Sequence, residues 1–300
     1  MKYLITIVGP TAIGKTSLSI ALAQYFNCDI ISCDSRQFFT EMSIGTAAPS
    51  KEELAAANHH FIHNKSIFEN YTVGDFEKEA IVKLDELYRT NDYAILVGGS
   101  GLYVDAILKG FDDFPEIDSN VREDITANYE KFGIEYLQEE LEKQDPVYFD
   151  TVAKENPQRL MRALEVCIGS GKPYSSFLHQ VKNERNFIPI KIGLETDREI
   201  IYDRINRRVD IMMSEGLLEE AKNLYPQKEL NALQTVGYRE LFSYFDGEFT
   251  LEFAISEIKK NSRRFAKRQL TWFKKNEDTK WFDFTATKNE IIDYINCRNK

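Results

Sequence analysis

Gly9-Pro10-Thr11-Ala12-Ile13-Gly14-Lys15-Thr16 satisfies G-x-x-x-x-G-K-[ST] and stands directly behind the apolar run Tyr3–Val8. A strand before the glycine turn and a helix opening near Lys15 are the context this motif requires. Glycines let the backbone curl until successive N–H groups converge on phosphate oxygens, and the helix N-terminus adds its dipole. Lys15 supplies a point charge and Thr16 a hydroxyl suited to Mg²⁺. All eight residues, Gly9, Pro10, Thr11, Ala12, Ile13, Gly14, Lys15 and Thr16, are therefore expected to form a phosphate or diphosphate cradle, with Thr16 as the one protein ligand of the metal.

Working outward, residues 29–33, Tyr93–Val97 and residues 188–194 repeat the same rhythm: an apolar, β-branched run, a turn, then helical periodicity. Strands alternating with helices imply a parallel sheet. Residues 118–183 differ, with helical spacing (Val121, Ile125, Tyr129; Leu160, Ala163, Leu164, Cys167) and no convincing strand. The expected fold is an α/β, P-loop NTPase-like parallel sheet core, residues 1–117 and 184–300, interrupted by a helical insertion at 118–183. The flanks at 111–115 and 183–189 read as hinges. Beyond Asp210 helices prevail until residues 281–284, a candidate edge strand.

Composition narrows the function classes. At 43% hydrophobic and 12% aromatic, 300 residues can build a sizeable core. With 38 basic against 48 acidic residues the net charge is −10, so any nucleic-acid site must be a local basic patch. Cys28, Cys33, Cys167 and Cys297 form no C-x-x-C pair, which suits reduced thiols and a cytoplasmic location. The amino-terminal apolar run is too short for a signal sequence, and no segment reaches the length needed to cross a bilayer.

The glycine turn does not name its phosphate compound. A guanine-reading N-K-x-D is absent, and the run ending Leu96-Val97-Gly98-Gly99-Ser100 lacks the aspartate of a Walker-B magnesium site. A GTPase switch and an ATP-driven motor both lose ground. Asp34, after Ile30-Ile31-Ser32-Cys33, places a carboxylate at the C-terminal edge of the sheet, where open α/β folds bind ligands. It can be a general base, or equally a helix cap or an outer partner of Mg²⁺.

Seven ordered blocks together resemble tRNA dimethylallyltransferases (tRNA isopentenyltransferases) of bacterial type. These are Gly9 to Thr16, Asp34-Ser35-Arg36-Gln37, Ile44-Gly45-Thr46-Ala47, Gly98-Gly99-Ser100-Gly101-Leu102-Tyr103, the run from Asn156 to Val166, Thr235-Val236-Gly237-Tyr238-Arg239-Glu240, and the run from Arg263 to Lys274. The resemblance implies transfer of a dimethylallyl group from dimethylallyl diphosphate to N6 of the adenine just 3′ of the anticodon. It implies Asp34 as the carboxylate that takes the N6 proton, Thr16 and Mg²⁺ at the diphosphate, and Arg208 steadying the leaving group from the far side, with Arg204 one turn earlier able to share that task.

Because N6 cannot reach a buried electrophile from within an ordered loop, the base must be extruded. The tRNA contacts implied are Asp34, Ser35, Arg36, Gln37, Ser100, Arg122, Gln158, Arg159, Arg162, Gly237, Tyr238 and Arg239. Between Lys259 and Lys275 there are eight basic residues and no acid. At helical spacing Lys260, Arg264, Lys267 and Arg268 share a face, with Phe265, Leu270 and Phe273 turned toward the core; Arg264, Lys267 and Arg268 are the expected phosphate contacts. Trp272 and Trp281 read as packing residues. His59, His60 and His63 lack metal-site spacing, and His179 lies in the insertion.

The chain departs from the family pattern at Phe39 (usually tyrosine), Ala48 (lysine), Ser100 (threonine) and Asn156 (aspartate). Partners are expected to be the tRNA anticodon stem-loop and dimethylallyl diphosphate, with Mg²⁺ as cofactor, no membrane, and a monomeric protein. The main rival is a P-loop nucleotide or small-molecule kinase, in which the cradle holds ATP and Asp34 deprotonates a hydroxyl; an RNA-binding module with a vestigial P-loop is a third class.

Overall fold

Strands β1 (Tyr3–Val8), β2 (Ile30–Ser32), β3 (His59–His60), β4 (Tyr93–Val97), β5 (Ile188–Glu195) and β6 (Lys280–Asp283) form one sheet in the order β3-β2-β4-β1-β5-β6. Every pairing is parallel. This computed structural model describes residues 1–112, 114–178 and 184–298. It divides into two compact units, Met1–Leu108 with Arg185–Lys300, and Lys109–Glu184.

A parallel sheet is covered on both faces, so its central strand reads as a continuous apolar run. All six residues of β1 are buried. Leu4 and Val8 point to one face, where they join Leu96, Phe38, Phe76 and Leu84. Ile5 and Ile7 point to the other, against Leu22, Ile30, Ile95, Ile192 and Ile295. Each such side chain contributes about 1.5–3 kcal/mol on burial. A third cluster, built from Leu217, Leu224, Leu233, Leu241, Phe242 and Ile258 around Tyr238, unites the helices that follow β5.

Two glycines at the C-terminal edge of the sheet set close approaches around the site. Gly9 adopts φ +148°, and a Cβ there would stand 2.7 Å from the Leu194 carbonyl oxygen of β5. A side chain must therefore push apart the β1–β5 pair in a backbone region nearly reserved for glycine. Gly9→Ala is expected to cost roughly 2–4 kcal/mol, read as a fall in the urea midpoint; an unchanged midpoint would refute this close-approach account. Similarly, Gly98 closes on Cys33, whose Sγ would lie 2.5 Å from an added Cβ. That contact brings the ends of β2 and β4 together.

The strand expectations need four adjustments, the first being that β2 spans Ile30–Ser32 rather than 29–33. β3 was not anticipated, because two residues carry no periodicity; it pairs at Ile30↔His59 and Ile31↔His60. β5 continues to Glu195, and β6 runs one residue earlier than expected, where Glu195 pairs with Asp283. The second unit is helical among the described residues, with helices Ser119–Phe132, Ile134–Gln144, Pro146–Phe149 and Pro157–Ser170 and a 3₁₀ turn at Tyr174–Phe177. Its core is Ile125, Leu137, Leu141, Leu160, Leu164 and Cys167. This unit begins at Lys109 rather than at residue 118. The reason is packing: Phe114 stacks on Tyr174 at 5.0 Å, and Ile117 fills the space over Gly169. His179 and the residues up to Asn183 lie outside the described residues, as does Asp113 within the first expected hinge.

Candidate active site

The cradle forms where β1 ends and the helix Lys15–Phe26 begins. Ala12 at φ 64° and Gly14 at φ 110° curl the chain in the left-handed region, and Gly14 caps the helix. Ile13 points inward, packed with Leu194, Ile201, Ile205 and Ala266. Lys15 Nζ donates to the carbonyls of Gly9 at 3.0 Å and Pro10 at 2.9 Å. Burial and the neighbouring Arg208 charge hold its ammonium down at about 8, against an opposing pull from Asp34. A buried ammonium held by two neutral carbonyls at the N-terminus of a helix favours an anionic ligand.

Arg208 and Arg204 extend from the helix Arg198–Ser214, which is anchored by Ile201, Ile205 and Val209. Arg208 Nη1 donates to Thr11 Oγ1 at 3.2 Å, and Arg204 Nε to the Ala12 carbonyl at 2.7 Å. Burial lowers the Arg208 pKa, with Asp34 opposing. Both arginines thus meet the cradle directly. Arg208 is partly buried and Arg204 exposed, yet both bond to the cradle, whereas the exposed Arg207 on the same helix pairs with Asp203.

Asp34 follows β2, whose end is set by the Cys33 N–H bond to the Val97 carbonyl at 2.8 Å. Its Oδ1 accepts the Arg36 N–H at 3.2 Å. Burial raises the Asp34 pKa, opposed by that N–H and by the charges of Lys15, Arg36 and Arg208. A carboxyl tuned upward is suited to accept a proton near neutrality. Next to it, Ser35 donates its N–H to Ser100 Oγ at 3.1 Å, and Ser100 Oγ donates to Ser35 Oγ at 3.1 Å. The serine at position 100 keeps the hydroxyl function of the family's threonine.

Asp34, Thr11 and Arg208 open into a single cleft of about 550 Å³. One wall is apolar, formed by Ile205, Val209, Met212, Leu217, Val236 and Ile258. Ser35, Arg36, Ser100, Gly237, Arg239 and Arg268 also line the cleft. No three His, Cys, Asp or Glu side chains converge on a metal position among the described residues. The histidines have separate engagements: His60 with Asp29 at 2.8 Å, His59 with the Ala57 carbonyl at 2.8 Å, and His63 near Ser43 at 3.5 Å.

Several expected contact residues have structural partners instead. Tyr238 is fully buried, its hydroxyl donating to Glu220 at 2.7 Å, so it is removed from the tRNA contacts. The same Glu220 carboxylate accepts the N–H groups of Ser43, Ile44 and Gly45. Gln37 donates to the carbonyls of Thr46 and Ala47, and Arg36 Nη1 to those of Asn231 and Ala232. Gln37 and Arg36 therefore shape the cleft rather than offer free base-reading groups. Phe265, expected to face the core, is instead exposed and lines the cleft; Trp272 lines it too while packing, as expected, on Gly101, and its Nε1 donates to Asp105 at 3.0 Å.

The basic run divides in two on the helix Leu251–Phe273 and the turn after it. Lys259, Lys260 and Lys274 are paired with Asp210, Glu257 and Glu195, while Arg263 donates to Asn206. Lys260 is thereby withdrawn from the expected face. Arg264, Lys267 and Arg268 are exposed and have no ion-pair partner among the described residues. Neutralising Arg264 and Arg268 together is expected to weaken tRNA binding and reduce the slope of log affinity against log salt by about 1.5, as for two lost phosphate contacts. An unchanged slope in a filter-binding titration would make them an ordinary solvated face.

The second unit gathers its own polar set. The helix Pro157–Ser170 exposes Gln158, Arg159 and Arg162 while burying Leu160, Met161, Ala163 and Leu164. Arg122 reaches Gln158 Oε1 at 3.0 Å and Glu165, and Arg162 pairs with Glu165 at 3.1 Å. Asn156 caps this helix through the Arg159 N–H, the task an aspartate would also perform.

An IPP transferase family model matches residues 37–276. The chain belongs to the IPP transferase family. It is 73% identical to a tRNA dimethylallyltransferase of Flavobacterium johnsoniae over 98% of this chain and 97% of that protein. A tRNA dimethylallyltransferase of Christiangramia forsetii is 62% identical over 99% and 98%. Among solved structures, a tRNA isopentenylpyrophosphate transferase of Bacillus halodurans superposes with TM-score 0.74 at 38% identity, covering 100% of this chain and 96% of that one. A eukaryotic dimethylallyltransferase acting on tRNA gives TM-score 0.81 at 27% identity, covering 95% and 74%. The IPP transferase fold thus extends over the whole chain, including residues outside the matched span.

Proposed function

We propose that this protein transfers the dimethylallyl group of dimethylallyl diphosphate to N6 of the adenine just 3′ of the anticodon in tRNA. One observation carries the reading: the cradle residue Thr11, the Asp34 carboxylate and Arg208 face one cleft that also has an apolar wall. A kinase needs the first three but has no use for that wall. An isoprenoid tail does, because burying its methyl groups supplies binding energy that a phosphate site alone lacks.

In this reading Lys15, Thr16, Arg208 and the cradle N–H groups hold the diphosphate, and Asp34 faces the extruded adenine. The N6 lone pair attacks C1 of the prenyl group, the C1–O bond breaks, and the electron pair leaves with the diphosphate. Asp34 takes the N6 proton. Lys15 and Arg208 stabilise charge that grows on the departing oxygens, where electrostatic complementarity is most effective. Of the tRNA contacts, Ser35, Ser100, Arg239, Arg264, Lys267 and Arg268 belong to the first unit, and Gln158, Arg159 and Arg162 to the second.

Mg²⁺ fits this donor set. It favours sites with one or two protein oxygens and substrate phosphates over an all-protein cage. Thr16 would hold it, and the metal would neutralise part of the diphosphate charge. No described helix is long and apolar enough to cross a membrane. A cytoplasmic, monomeric protein is part of the same proposal.

Incubating the protein with unmodified tRNA and either labelled dimethylallyl diphosphate or labelled ATP tests this. Label is expected in tRNA from the prenyl donor alone. Transfer from ATP would restore the kinase, and transfer from neither would leave an RNA-binding protein.

A further inference from the structure

Gln269 belongs to neither the basic stripe nor the apolar wall, yet it is 5% exposed in the middle of the helix that carries both. Its Oε1 accepts the Thr11 N–H of the cradle at 2.9 Å, and its Nε2 donates to the Gly99 carbonyl at 2.9 Å. On one side, Thr11 Oγ1 accepts from Arg208. On the other, Gly99 precedes Ser100, whose hydroxyl holds Ser35 beside Asp34. The amide is therefore the link between the leaving-group half of the site and the proton-accepting half.

We infer that Gln269 is a positioning residue that fixes the separation between the diphosphate cradle and the Asp34–Ser35 turn, so that nucleophile and electrophile are brought into line. The inference rests on the prenyl-transfer reading. Gln269 touches no reacting atom; it acts through Thr11 and Gly99. An amide suits the task because it offers one acceptor to the cradle and one donor to the acceptor loop, and a displacement between two separately bound substrates is sensitive to their spacing. The close approach also explains glycine at position 99, where an added Cβ would run into the Gln269 amide nitrogen.

Two variants separate positioning from simple packing. Gln269→Glu keeps the acceptor for Thr11 but turns the other end into an oxygen facing a carbonyl, and Gln269→Leu removes both bonds. Single-turnover transfer at saturating tRNA and dimethylallyl diphosphate is expected to fall ~30-fold or more in both, as for reacting groups displaced by a fraction of an ångström. The dissociation constants of tRNA alone and of the prenyl diphosphate alone should each stay within threefold of the unsubstituted protein. A residue that only packs would instead lower the melting temperature and weaken both affinities together, with the saturated rate preserved. Rates within twofold of the unsubstituted protein in either folded variant would overturn the positioning role while the transferase reading stands. Absence of transfer in the unsubstituted protein would remove the reading and the role together. Should one variant fail to fold, the other decides.

Discussion

Asp34→Asn is expected to lower turnover at least a hundredfold while tRNA affinity changes by no more than a few fold, the usual scale for loss of a general base. The side-chain amide keeps the shape and can still accept the Arg36 N–H, so a loss reports on proton acceptance rather than on a broken turn. The same substitution should stabilise the fold. Burial raises the folded pKa of Asp34 above its unfolded value, so its ionisation opposes folding; the cost is absent below the unfolded pKa and reaches its full size above the folded one. Asparagine carries no such cost. The variant should therefore melt higher near pH 8, by about 2–4 °C for each kcal/mol relieved, and the gap should close as pH falls toward 4. Calorimetry across that range, beside steady-state kinetics, checks both halves. Near-normal turnover would take Asp34 out of the mechanism, and equal melting temperatures at all pH values would show that its burial is compensated.

Lys15→Met should lower kcat/KM for dimethylallyl diphosphate by ~10²–10³, comparable with removing a principal stabiliser of transition-state charge. The lysine also sets an alkaline limit. Its ammonium, held at about 8 by burial and Arg208, loses its proton as pH rises through that value, and with it the attraction for the diphosphate. At the acid end Asp34 must be ionised, and its raised pKa moves that limit upward. The pH profile of kcat/KM for the donor is expected to be bell-shaped, with its alkaline limb near 8 and its acid limb above the usual aspartate range. Loss of the alkaline limb in Lys15→Met would tie that limb to Lys15. Its persistence there would assign it to another group.

How much was legible in the chain depends on how far each signal reaches. The four principal strands and the glycine turn are local: a buried parallel strand is a continuous apolar run, and a cradle needs its glycines in fixed order. Asp34 could be singled out because it follows such a run, whereas its burial beside the charges of Lys15 and Arg208 belongs to the folded chain alone. Arg208 was indicated only through the resemblance, since Arg204, Arg207 and Arg208 look alike in one dimension. In space they separate cleanly, two on the cradle and one paired with Asp203. Tyr238 failed for the converse reason: a tyrosine in a motif block was read as a contact, whereas its ring is the centre of a hydrophobic cluster and its hydroxyl serves Glu220. Glu220 and Gln269 gave no signal. One is half of an ordinary acidic pair, the other a neutral residue among cations, and each acquires its meaning from backbone partners 170 or more positions away.

The order of apolar runs, turns and helical segments by itself determined the α/β class, the place of the phosphate turn and the presence of a helical insertion, because hydrophobic period and glycine placement act over a few residues. Only the folded chain decided which cations are free and which are paired, where the second unit begins, and that one buried amide joins the two halves of the cleft. Those are questions of which distant groups become neighbours once burial has removed water as their alternative partner.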